Sequence, residues 1–147
     1  MIYEKAKGEF GYVLKKKEAA KLLSIQIEKK VSYDDLESIL VGAIEGAINY
    51  WGGIKVNTPI WEQKPSAMPV SQYALQILID DWTLQFFENM EEVDESDSDW
   101  TLTLDKLLHG IKLNIQERAF DSNLEDSDAT TYDCIIQYAL FGEIIYG

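Results

Sequence analysis

Side chains that hold metals, form thiolates or move protons near neutral pH are almost missing from this chain. Its 147 residues include one cysteine, Cys134, one histidine, His109, and one arginine, Arg118. A single cysteine makes no intramolecular disulfide, and a single histidine builds no Cys/His zinc site. His109 has no serine or cysteine nucleophile motif around it, and Cys134 falls in an apolar segment that raises a thiol pKa rather than lowering it. No run of eighteen or more uncharged apolar residues is present, and the opening MIYEKAKGEF lacks the basic-then-apolar layout of a secretory signal. These absences predict a soluble, intracellular protein, not an enzyme, with no cofactor and no bound metal. Glycine-rich phosphate cradles are missing as well, because Gly52-Gly53 is followed by Ile54-Lys55 without Walker or dinucleotide spacing.

Apolar residues make up 46% of the chain and aromatic residues 12%, enough for one packed domain. Charge divides this material unevenly. Met1 to Val31 holds eight lysines against four acids, a net of +4, whereas Ser32 to Gly147 holds five basic residues against 22 acids, a net of −17. A surface of that sign repels nucleic acid and anionic membranes and suits a basic protein partner.

Periodicity supplies the expected elements. Phe10, Tyr12 and Leu14 alternate as in a short strand, and Lys15 to Leu23 has helical spacing. That segment resembles the first helix of a helix-turn-helix, but no turn and recognition helix follow it. Ile25 to Val31 alternates like a strand. Ser32 then caps a helix whose apolar positions run from Leu36 to Trp51 and which Gly52-Gly53 is expected to stop. Gly42 and Gly46 lie four apart on one face of it; close packing against the sheet is one reading, a homodimer contact the other. Val70 to Asp81 is expected as a helix capped by Ser71. Thr83 to Glu88 and Trp100 to Thr103 form a hairpin around the acidic connection EEVDESDSD. Thr103 caps a helix with Leu104, Leu107, Leu108, Ile111 and Ile115 inward. A central, nearly all-apolar helix runs from about Ala129 to Phe141, is stopped by Gly142, and precedes a short strand over Ile144 to Tyr146. The sum is an α+β domain, a small, mainly antiparallel sheet with an acidic hairpin, covered by about four helices. Residues 1–24 are set apart as a lysine-rich accessory leader and 25–147 as the acidic body.

The segments ILVGAIEGAINYW, Ile39 to Trp51, and IIQYALFGEIIYG, Ile135 to Gly147, resemble small acidic proteins of unknown function encoded by phages, prophages and mobile elements of Gram-positive bacteria. The likeness spans roughly Ile25 to the C-terminus, including a "LLHG" step, and it rests on apolar helix faces and glycine stops. It implies a bacterial host cytoplasm and an accessory role such as blocking host defence.

Asp94, Glu95, Asp97 and Asp99 offer oxygen ligands for a hard cation, but the turn glycine and closing glutamate of an EF-hand loop are missing. Trp51, Trp61, Trp82 and Trp100 fall at the ends of elements, where rings line grooves or pack in cores. The expected partner-binding residues are Glu88, Glu91, Glu92, Asp94, Glu95, Asp97, Asp99 and Trp100 on the hairpin, with Glu125, Asp126 and Asp128 on a second acidic loop. The leading expectation is a non-enzymatic inhibitor of a host defence system, as in anti-CRISPR proteins. Its carboxylates would occupy a nucleic-acid-binding or otherwise basic surface of the target. The alternatives are a binder that sequesters a nucleotide signal in an oligomer pocket, relying on lysines such as Lys55, Lys106 and Lys112, and an accessory phage protein without inhibitory action.

Overall fold

The computed structural model describes residues 3–6, 13–16, 23–88 and 100–147. It divides into two compact units, Met1–Lys30 and Val31–Gly147. In the first, strands β1 (Tyr3–Ala6) and β2 (Val13–Lys16) pair antiparallel, with Tyr3 opposite Lys16 and Ala6 opposite Val13. Leu14 falls in a strand as expected, whereas Phe10 and Tyr12 lie outside the described residues. The helix expected over Lys15 to Leu23 is corrected where the structure describes it. Lys15 and Lys16 belong to β2, where the ladder with β1 satisfies their backbone, and Leu23 sits in no regular element. Ile25 to Val31 is not a strand either, and Ile25 and Ile27 are each 82% exposed. Alternation marks a strand only where a neighbouring strand is supplied, and among the described residues none pairs with this segment.

The second unit opens with α1 (Tyr33–Gly42). The Ser32 hydroxyl accepts the Asp35 N–H at 3.1 Å and the Asp35 carboxylate accepts the Ser32 N–H at 2.9 Å, a reciprocal capping box. Leu36, Ile39 and Leu40 point into the core. The helix then widens into one π-helical turn, Ala43–Ala47, closed by Ile48 N–H donating to the Ala43 carbonyl at 3.2 Å. The wider turn carries the inward face from Ala43 to Ile48, and both are fully buried. Because the chain has already left the helix, Gly52 and Gly53 do not stop it. They open β3 (Gly52–Ile54), where a Cβ on Gly52 would press on the Phe87 carbonyl at 2.7 Å.

A three-stranded antiparallel sheet follows in the order β3, β4 (Leu84–Glu88), β5 (Trp100–Leu102), with Ile54 opposite Phe86 and Phe86 opposite Trp100. Leu84, Phe86 and Leu102 bury their side chains against the helices. Between β3 and β4 lie a 3-10 turn, Pro59–Gln63, and α2 (Val70–Ile79). Ser71 is not the cap of α2. Pro69 precedes the helix, and the buried Ser71 hydroxyl donates to Glu45 at 3.0 Å.

Thr103 caps α3 (Leu104–Glu117) by accepting the Lys106 N–H at 3.1 Å. Its inward stripe differs from the expected one, since Leu108 is exposed while Gly110 and Asn114 join Leu107 and Ile111 inside. The reason is the crossing with α4 (Ala129–Phe141). A Cβ on Gly110 would meet the Ile135 carbonyl at 2.5 Å and the Ala139 nitrogen at 2.8 Å, so only glycine lets the two backbones come this close. Helix α4 is central as its composition implied, and Gly142 ends it at φ 75°. Gly42 likewise lies against α4, beneath the Tyr132 ring rather than against the sheet, whereas Gly46 faces open space. Ile144 to Tyr146 docks without forming the expected strand. The unit is therefore α+β, four α-helices on a small antiparallel sheet.

Candidate functional site

The hairpin carboxylates Glu91, Glu92, Asp94, Glu95, Asp97 and Asp99 lie outside the described residues. The two ends of that hairpin do not stand free. The Glu88 carboxylate accepts the Tyr146 hydroxyl at 2.9 Å. Trp100 packs edge-on to Phe141, with centroids 4.7 Å apart, and edge-on to Trp51 at 5.9 Å. Tyr146 stacks flat on Trp51, at 5.1 Å and 3°. These rings fasten the C-terminal residues to β5, α4 and the turn before β3.

Beside them a polar cluster does the same work. Asp133 accepts the Trp51 indole N–H at 2.7 Å and the Tyr50 hydroxyl at 2.5 Å. The fully buried Gln137 amide donates to Asp133 at 2.9 Å and to the Tyr146 carbonyl at 3.1 Å, and it accepts the N–H groups of Ile145 and Tyr146, each at 2.9 Å. Although Tyr50 is largely exposed, partial burial, helped by the Asp133 hydrogen bond and charge, pushes its pKa up to about 12. Cys134 is buried on the same helix, and burial raises its thiol above the ordinary value.

In the second acidic loop the carboxylates split by role. Arg118 pairs with Asp121 at 2.7 Å and donates to Asn114 at 2.8 Å, and the buried Thr131 hydroxyl lies 2.8 Å from Asp121. Asp128 caps α4 by accepting the Thr131 N–H at 3.0 Å, and that hydrogen bond holds its pKa below the ordinary value. Glu125 and Asp126 are exposed on a 3-10 turn, with one Asp126 oxygen accepting from Asn123 at 2.9 Å. Glu125, Asp126 and Asp128 are all exposed, but Asp128 is committed to the α4 cap, whereas Glu125 and Asp126 take no part in one.

A cleft of about 340 Å³ lies between the 3-10 turn and α2, with Tyr73 and Ile77 in its wall beside Pro59, Ile60, Asp80 and Trp82. Local backbone chemistry builds its edge. Asp81 takes φ 63°, its N–H donates to Leu78 at 3.1 Å, and Trp82 N–H reaches back to Ile77 at 2.9 Å, the double bond of a Schellman ending. That ending commonly brings its last residue against the one that accepts the longer bond, here Trp82 and Ile77, and both line the cleft. Trp82 is 62% exposed, while Trp51 and Trp61 are buried. The sequence pattern grouped the four tryptophans together and placed the adjacent Asp80 and Asp81, just before Trp82, at a helix end, without linking them to an exposed ring. Asp80 and Asp81 stand at a helix C-terminus, where the dipole disfavours acids.

Among the described residues no group of three or more His, Cys, Asp or Glu side chains is arranged to hold a metal, and no helix is long and apolar enough to cross a membrane. Comparison with known proteins finds no matching family model, no matching curated protein and no matching solved structure.

Proposed function

We propose that the protein is a non-enzymatic inhibitor from a phage or mobile element that acts by occupying a nucleic-acid-binding or otherwise basic surface of a host defence protein, an anti-CRISPR protein being the concrete instance. One observation carries this reading. The compact unit Val31–Gly147 holds 22 acids against five basic residues, so its field attracts a basic surface and excludes nucleic acid. The acids of the hairpin and the exposed Glu125, Asp126 and Asp128 contribute to that charge, and the motif resemblance suggests the genomic setting. The alternative of a sequestered nucleotide finds less support, since none of Lys55, Lys106 and Lys112 lines the cleft and Asp80 does.

The test is capture of nucleic-acid-binding proteins from a Gram-positive lysate at low salt, followed by nucleic-acid displacement with the purified partner. The expected result is displacement that fades as salt rises and weakens when Glu91, Glu92, Asp94, Glu95, Asp97 and Asp99 are neutralised together. A partner that keeps its nucleic acid with the protein bound, or direct binding of nucleic acid by this chain, would refute the reading.

A further inference from the structure

We propose that the cleft walled by Tyr73, Ile77 and Trp82 and edged by Asp80 is a receptor for an arginine side chain of a basic protein partner. The inference rests on the basic-partner reading and gives it a specific anchor.

Three observations converge on a cation here. The C-terminal end of α2 already carries the negative pole of the helix, and Asp80 and Asp81 add two full charges where a cation is the stabilising choice. Neither carboxylate has a side-chain hydrogen bond or ion pair among the described residues, and Asp81 is in addition held in a left-handed conformation unusual for a residue with a side chain. The chain thus concentrates uncompensated negative charge on a strained turn beside an open cleft.

The second observation is the ring. Trp82 is 62% exposed at the cleft edge, and the face of an indole is the best aromatic partner for a guanidinium. A planar guanidinium stacks on such a face and still directs its N–H groups to a carboxylate in a way that a lysine ammonium does not. The third observation is an instance inside the molecule. Arg118 lies 5.1 Å from the centroid of Phe120 and 2.7 Å from the Asp121 carboxylate, so its guanidinium is held by one ring and one acid. Trp82 and Asp80 offer the same pair of groups without a cation between them. At about 340 Å³ the cleft is near the lower limit for small-ligand sites, a size suited to one side chain.

The experiment titrates the full chain with a hexa-arginine peptide and, in parallel, with its neutral hexa-citrulline counterpart, reading the Trp82 indole N–H and the Gln76 and Asp80 amides by heteronuclear NMR. Hexa-arginine should shift these signals and hexa-citrulline should not. Trp82→Leu, which keeps an apolar side chain on an exposed position, should weaken binding about 3- to 30-fold. Asp80→Asn should weaken it and flatten its salt dependence. If hexa-arginine binds in a salt-dependent way but shifts only the Glu125 and Asp126 region, the cleft assignment is wrong and the basic-partner reading stands. Equal binding of the citrulline peptide at the cleft would also overturn the assignment. If a single arginine amide binds at the cleft and the longer peptide gains nothing from its extra charges, the cleft stands and the broad acidic face loses its role. If hexa-arginine binds nowhere at low salt, both proposals fall.

Discussion

Replacing Gln137 by leucine tests how the C-terminal residues are held. The side chain is fully buried and its amide accepts two backbone N–H groups, from Ile145 and Tyr146, while donating to the Tyr146 carbonyl and to Asp133. Leucine keeps most of the volume and none of this bonding. If the last residues stayed docked, the N–H groups of Ile145 and Tyr146 would lose their acceptor at about 1–3 kcal/mol each. Release of the segment is the cheaper response, because Ile144 and Ile145 are already exposed and their backbone can turn to water. Release forfeits the partial burial of Tyr146, about 1–2 kcal/mol, its stacking on Trp51, about 0.5–1.5 kcal/mol, and its hydroxyl bond to Glu88, about 0.5–1.5 kcal/mol. Gln137→Leu should therefore destabilise the protein by about 3 kcal/mol and lower Tm by about 6–12 °C. Denaturant unfolding followed by circular dichroism and by tryptophan emission measures this. The decisive comparison adds deletion of Ile144 to Gly147, which should cost almost nothing further in the Gln137→Leu background. A loss below about 1 kcal/mol, or full additivity of the two changes, would refute the clamp.

Other expectations follow from local geometry. Gly110→Ala should destabilise the protein despite the better helix propensity of alanine, by about 1–2 kcal/mol net, because its Cβ meets the backbone of α4, whereas Gly46→Ala, facing open space, should stabilise by about 0.5–1 kcal/mol; paired melts decide both. Asp81→Gly should raise stability by about 1 kcal/mol by relieving the left-handed residue, and unchanged or reduced stability would mean that the Schellman turn depends on the aspartate side chain. Tyr50 has its folded pKa raised from 10.0 to about 12, so the unfolded chain loses that proton first and its contribution to stability disappears as pH climbs from 10 toward 12. Alkaline unfolding of Tyr50→Phe beside the natural chain should show a shallower fall for the variant over that window, and parallel curves would remove Tyr50 from the effect.

Local chemistry was enough to place several elements. The Ser32 capping box, the Thr103 cap and the left-handed Gly142 are decided by residues within a few positions of each other, so the starts of α1 and α3 and the full extent of α4 could be read directly. The β4–β5 hairpin was legible for the same reason, from aromatic and β-branched runs on either side of an acidic connection. Features that need a distant partner were not legible. Ile25 to Val31 has the pattern of a strand but pairs with no strand among the described residues, and Ile144 to Tyr146 meets the Gln137 side chain instead of a strand edge. Gly110 looked like a flaw in a helix face until α4 crossed it. Among the candidate site residues, composition alone located the acidic segments, because charge is additive along a chain. Only tertiary structure joined Asp121 to the buried Thr131 hydroxyl and set Trp82 apart from the buried Trp51 and Trp61. Caps, turns and net charge depend on neighbours in sequence, whereas exposure, crossing points and side-chain clamps depend on which distant segments share space. The first kind this sequence determined by itself, and the second only the folded chain decided.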